Sequence, residues 1–222
     1  MPIRLYDLCG ADPQLRFSPY CWRAKLALRH KGADFETVAT PFTAIPRIGD
    51  GGHATVPVLE DGGTRIGDSF AIAEHLEATM PDRPRLFAEG PAGRAAARLV
   101  EGYANLTLSA TIFPWIARDI LDRLAPEDQA YFRPSREKRL GRSLEEAAAG
   151  REGKLGDLRK ALAPMRHALR HAPFLGGDTP LYVDHIVAGT LLWAAKVSDF
   201  ALLDGEDEVA AWFGRVTAGA DG

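Results

Sequence analysis

The first forty residues read strand, helix, strand, and that order admits few folds. Ile3 to Leu8 is short and apolar with polar breaks. From Pro19 to Lys31, the residues Tyr20, Ala24, Ala27, Leu28 and Lys31 recur on one face at helical spacing. Ser18 before Pro19 is an N-cap followed by proline at the first helical position. Lys31-Gly32 closes the helix with a cation in its last turn and a glycine beyond it. Phe35 to Ala39 then alternates as a strand does. A strand–helix–strand unit of this kind implies a right-handed crossover and a parallel strand pair.

Residues 41–80 extend the same layer. Residues 41–52 read as loop, with Pro41, Pro46 and Gly49 to Gly52. Val56 to Glu60 and Thr64 to Ile66 flank Asp61-Gly62-Gly63, a hairpin signal. Ser69 to Met80 is helical, with Ile72, Ala73 and Leu76 on its apolar face. Residues 1–80 therefore form a small α/β unit, β-α-β then β-β-α. Residues 81–93 are rich in proline and glycine and read as a linker. From 94 to 222 the patterns are all helical. Arg94 to Leu124 is a long stretch expected to bend near Pro114. Residues 136–149 and 154–171 are two further helices. Tyr182 to Val197 is strongly apolar and is expected to be the buried helix of this half. Glu206 to Val216 is the last.

Charge and composition exclude several classes. The net charge of −3 gives no field that recruits nucleic acid or an anionic membrane. Residues 133–170 carry eleven Arg/Lys against five Asp/Glu, but few aromatics interleave, so a solvated helical face is expected. No apolar run approaches a membrane span. Met1 to Leu5 runs straight into the strand pattern without a signal-peptide stretch. The two cysteines, Cys9 and Cys21, do not form a disulfide framework, and a reducing cytoplasm is the expectation. The six histidines show no metal-ligand spacing, so no metal is expected.

Three short segments carry chemistry. Pro57, inside Val56-Pro57-Val58, cannot donate to a strand ladder and belongs at an edge or a strand start. A cis bond there would turn the Val56 backbone outward, toward a ligand. Asp68-Ser69 opens a helix straight after a strand. It is a plain cap, or a site where the helix N-terminus and the Ser69 hydroxyl take a carboxylate while Asp68 takes an ammonium. Ser18 also opens a helix, where the partial positive charge and a hydroxyl favour a thiolate. A cysteine in place of Ser18 would have made a C-x-x-C motif with Cys21, so a dithiol cycle is not open to this motif.

Taken together, these segments resemble the glutathione transferases. The resemblance rests on Ser18-Pro19-Tyr20-Cys21-Trp22-Arg23, Thr55-Val56-Pro57-Val58-Leu59, Gly67-Asp68-Ser69 with Ile72 to Leu76, and Asp184 in Tyr182 to Ile186. It implies a thioredoxin-like α/β N-terminal domain (β-α-β-β-β-α) followed by an all-α helical bundle domain. It also implies glutathione as co-substrate and a homodimer. Ser18 would stabilise the glutathione thiolate, with Val56, Pro57, Asp68 and Ser69 holding the peptide. Two positions depart from the family. Leu181 stands where a Ser/Thr cap precedes Asp184, and Thr55 stands where a basic residue often grips the glycine carboxylate. Arg47 or His53 could supply that grip.

A narrower resemblance is to the bacterial β-etherase-type transferases and their fungal relatives, which cleave β-aryl ethers of lignin-derived dimers. It is carried by Leu5-Tyr6-Asp7-Leu8, Leu28 to Gly32, Phe42-Thr43, Pro81 to Pro84, Ser135-Arg136-Glu137 and Ala149 to Glu152. The implied second substrate is a small aromatic electrophile, with Tyr20, Tyr103, Asn105, Phe113 and Trp115 as candidate lining residues. Two alternatives stay open on sequence: a non-enzymatic binder of hydrophobic ligands, and a thiol reductase working through Cys21.

Overall fold

The computed structural model describes residues 2–219. Four strands form one mixed sheet: β1 (Ile3–Leu8), β2 (Phe35–Thr40), β3 (Val58–Asp61) and β4 (Thr64–Gly67), in the order β2-β1-β3-β4. Strands β1 and β2 are parallel, pairing Ile3 with Phe35 through Leu8 with Thr40, as the crossover requires. Strand β3 runs antiparallel to β1 and to β4. The β3–β4 turn is Gly62-Gly63, both at positive φ, which two-residue hairpins demand. In place of the expected loop after β2, a 3₁₀ turn covers Phe42–Arg47. It is held by Asp128, whose buried carboxylate accepts from the amides of Phe42 and Thr43, both at 2.9 Å.

Helices α1 (Pro19–His30) and α2 (Ser69–Thr79) pack together with Ile3 and Leu5 of β1 and Leu59 of β3. The rest is helical: α3 (Gly90–Tyr103), α4 (Ser109–Asp122), α5 (Pro126–Leu140), α6 (Leu144–Ala148), α7 (Leu155–Ala161), α8 (Ala163–Leu169), α9 (Tyr182–Val197) and α10 (Glu208–Thr217). This is a thioredoxin-like layer followed by a helical bundle. Among the described residues, no helix is long and apolar enough to cross a membrane.

Three helical expectations change. In the 94–124 stretch, Pro114 sits inside the unbroken helix α4, and a departure from α geometry that the sequence did not suggest precedes it. That departure is a π turn over Ala104–Leu108 that joins α3 to α4 without a break. Helix α5 begins ten residues before the expected start, on Pro126 at its first position with Glu127 and Asp128 in its first turn. The stretches from 136 to 149 and from 154 to 171 are divided. Gly141 in the left-handed conformation ends α5, a Ser143–Glu146 capping box starts α6, and Pro164 opens α8.

The expected helix over Tyr182–Val197 forms in full and is mostly buried. It packs closely against α1, because a Cβ on Gly189 would lie 2.6 Å from the Pro19 carbonyl oxygen. Asp184, fully buried, makes up for the missing cap at Leu181. Its Oδ1 accepts from the Leu175 amide (2.7 Å) and the Trp212 indole (2.7 Å). Its Oδ2 accepts from the amides of Gly176 (3.0 Å) and Leu181 (2.9 Å).

Candidate active site

The N-terminus of α1 is built by its own sequence. Pro19 fixes the first helical φ, and the Ser18 hydroxyl oxygen accepts from the Cys21 amide at 3.3 Å. Ser18 is buried at 3% exposure. Cys21 is wholly buried, its thiol directed to the Tyr6 carbonyl at 3.9 Å. Burial, with the nearby Asp7 carboxylate, pushes the Cys21 thiol well above its ordinary value. A thiol that is both inaccessible and protonated is a poor nucleophile. Cys9 is also buried, and its thiol is pushed up by desolvation.

The Val56–Pro57 peptide bond is cis. Both residues are buried and precede the paired part of β3, which begins at Val58, so the Val56 backbone lies outside the ladder. Beyond the hairpin, Asp68 caps α2, its Oδ1 accepting from the amides of Phe70 (2.9 Å) and Ala71 (3.0 Å). Its φ of 74° is the one positive value at a non-glycine residue among those described. Such a backbone is costly for a residue with a side chain and collects at ligand sites. Next to it, Ser69 is 1% exposed, and its hydroxyl has no hydrogen-bond partner among the described residues. The Ser69 carbonyl is held by the buried Tyr182 hydroxyl at 2.7 Å.

The other candidates divide. His53 lies against Gly67, its Nδ1 3.8 Å from where a Cβ would stand there, and so borders Asp68. Arg47 is exposed at the end of the 3₁₀ turn and makes no ion pair or hydrogen bond among the described residues. Tyr20 is 39% exposed, two residues from Ser18. Asn105 sits on the π turn, its Oδ1 accepting from Arg23 at 2.8 Å. Tyr103 is half-buried and its hydroxyl donates to the Ala161 carbonyl; desolvation pushes its pKa up to about 12. Phe113 and Trp115 are 6% and 4% exposed and belong to the core, Phe113 stacked on Trp193 and Trp115 edge-on to Phe200. Their apolar rings pack within the bundle core. Sequence reasoning overlooked Tyr182 and the role of Arg23. The available signal was Arg23 three residues after Tyr20, on the same face of α1.

Comparison with known proteins covers both halves. Residues 13–84 match the model for the glutathione S-transferase N-terminal domain, and residues 95–214 that for the C-terminal domain. The chain is 25% identical over 201 residues to glutathione S-transferase U28 of Arabidopsis thaliana, covering 88% of this chain and 78% of that protein. Over 120 residues it is 33% identical to maleylacetoacetate isomerase of Rattus norvegicus, about half of each chain. Among solved structures it is similar to glutathione transferase GSTFuA3 of Phanerochaete chrysosporium, with a TM-score of 0.86 at 28% identity over 98% of this chain and 97% of that one. A glutathione S-transferase of Ceriporiopsis subvermispora, solved in complex with glutathione, shares the fold at 24% identity and a TM-score of 0.85, over 98% of this chain and 96% of that one. With each half matched in its proper order, the chain belongs to the glutathione S-transferase family.

Proposed function

We propose that this chain joins glutathione to an aromatic electrophile, and that the reaction is displacement of a phenol from a β-aryl ether. The observation that carries the glutathione site is the buried Ser69 hydroxyl, unpartnered beside the positive-φ Asp68. A desolvated hydroxyl without a partner costs free energy unless a ligand completes it. The first turn of α2 offers that ligand a partial positive charge, which suits a carboxylate. Asp68 suits the adjacent ammonium. Those are the two groups of the γ-glutamyl end of glutathione. The Val56 backbone suits the middle of the peptide. The exposed Arg47 and neighbouring His53 are the proposed partners of the glycine carboxylate.

Ser18 is the proposed thiolate-stabilising residue, with help from the N-terminal dipole of α1. In the reaction the thiolate sulfur forms a C–S bond as the C–O bond breaks. The phenolate leaves with the electron pair and then takes a proton from water. With a phenol pKa of about 10, it is a tolerable leaving group at neutral pH. Tyr20 and Asn105 are the proposed lining of the second-substrate site. A homodimer is also proposed. Its support is the outer face of α3 and the π turn, where Leu99 and Leu106 are 76% and 80% exposed, seven residues apart.

The deciding assay supplies glutathione with an aryl ether that releases a fluorescent phenol, and in parallel with a generic aryl halide. Ser18→Ala should lower kcat/KM by at least about tenfold, whereas Cys21→Ser should leave it within about threefold. Loss of thiol without phenol release would remove the ether assignment and leave the transferase standing. The reverse ranking of the two variants would move the chemistry to Cys21.

A further inference from the structure

Arg23 is a buried cation that packing alone does not account for. Its side chain is fully buried at 0% exposure. Among the described residues every hydrogen-bond partner it has is neutral. Nε donates to the Ile186 carbonyl (3.2 Å), and Nη2 donates to Asn105 Oδ1 (2.8 Å) and Thr190 Oγ1 (3.2 Å). Nη1 has none. Burying a charge with no counter-charge in contact is expensive. Helix α1 carries this group, while α9 and the π turn hold it in place.

Two consequences follow, one for Tyr20, two residues from Ser18, and one for Asn105. The guanidinium carbon lies 4.6 Å from the centre of the Tyr20 ring, so one face of that ring rests on a cation. Tyr20 as a residue is nonetheless 39% exposed. A cation on one face draws π density toward itself and leaves the other face less negative, which favours stacking by an electron-rich ring. Asn105 is oriented by the same group. A guanidinium only donates, so the Asn105 carbonyl must face it and the NH₂ must face away. That NH₂ group makes no hydrogen bond among the described residues.

We propose that Arg23 is a positioning residue that sets Tyr20 as a stacking platform and Asn105 as a donor, for an oxygen-substituted, electron-rich aryl group on the second substrate. This rests on the reading of Tyr20 and Asn105 as the lining of the second-substrate site.

The test is calorimetric binding of glutathione, S-(4-methoxybenzyl)glutathione and S-(4-nitrobenzyl)glutathione. The natural protein should bind the methoxy compound about three- to fivefold more tightly than the nitro compound, the scale of one half-exposed cation–π contact. Arg23→Met should erase that preference while the Kd of plain glutathione stays within about twofold. Arg23→Lys should restore part of it. Tyr20→Leu should erase it too, and adding Arg23→Met to Tyr20→Leu should change nothing more. A preference that survives in Arg23→Met or in Tyr20→Leu overturns the proposal. So does an Arg23→Met variant that weakens all three ligands equally, since that marks a structural role. If Arg23→Met does not fold, Arg23→Lys and Tyr20→Leu still decide. Failure of the natural protein to bind glutathione would remove the transferase reading. Glutathione binding without any methoxy preference would remove this inference alone.

Discussion

At the scale of single residues, the proposed site is marked by groups that the folded chain leaves incomplete. The Ser69 hydroxyl is the clearest, because it is desolvated and unpartnered. Ser69→Ala should therefore leave the melting temperature unchanged or raise it slightly, since an orphaned buried hydroxyl is removed. The same variant should weaken glutathione about tenfold by calorimetry, the loss of one hydrogen bond to a charged group. A stability loss without an affinity loss would make Ser69 an ordinary core serine. Ser18 differs, since its oxygen already accepts from the Cys21 amide. Its loss should cost about 1 kcal/mol of stability as well as activity.

At the scale of elements, α9 depends on two buried polar assemblies. Asp184 accepts four N–H donors, two on each oxygen. An asparagine could satisfy only one pair, and its NH₂ would face the other. Asp184→Asn should thus cost ~3 kcal/mol in chemical denaturation despite near-identical shape. The second assembly joins α1 to α9. His185 Nε2 lies 3.2 Å from His30 Nδ1, and His30 in turn bonds the Arg85 backbone. The chain of bonds closes with both rings neutral, His30 donating to Arg85 and accepting from His185. Burial pulls both pKa values down, that of His185 to about 3, with the charge of a protonated His30 adding to its shift. The folded values lie below the unfolded one of about 6.5, so the unfolded chain takes up protons first. This contribution to stability is complete above pH ~6.5 and is progressively lost as pH falls below it. Melting temperatures at pH 7.5 and 5.5 should show the decline, and His185→Gln should flatten much of it. A His185→Gln variant as acid-sensitive as the natural protein would assign the slope elsewhere.

These assemblies also show where the sequence stops being legible. Caps and turns are local, so Ser18-Pro19, Gly62-Gly63 and Tyr182 to Val197 could be read directly. The π turn could not, because no residue type in Ala104–Leu108 marks a π turn as proline or glycine marks a break. The partners of Asp184 include Trp212, twenty-eight residues away, so the full set of four donors on its carboxylate was invisible. For Phe113 and Trp115, which the structure packs into the core, the sequence could not separate the two readings, because a ring facing a pocket and a ring filling a core leave the same mark in it. The proposed glutathione-binding groups were picked out through chain order and spacing. That the Ser69 hydroxyl is left over required coordinates.

At the scale of the whole molecule, Leu99 and Leu106 leave large apolar surface on one side of α3 and the π turn. If that side is the proposed two-fold interface, Leu99→Glu with Leu106→Glu should give a monomer by light scattering, while a single chain remains folded. A double variant with an unchanged mass would place the contact on another face. Gly189 bears on the molecule in a different way. Its bare backbone lies against the Pro19 carbonyl, at the turn that carries Ser18. The helical half thus forms part of the proposed seat of the thiolate, besides offering the proposed wall for the second substrate. The two halves are therefore not interchangeable modules. Grafting the helical half of a relative onto this α/β layer would carry over a new substrate wall. It would also reset the first turn of α1, unless the incoming helix had no side chain opposite Pro19.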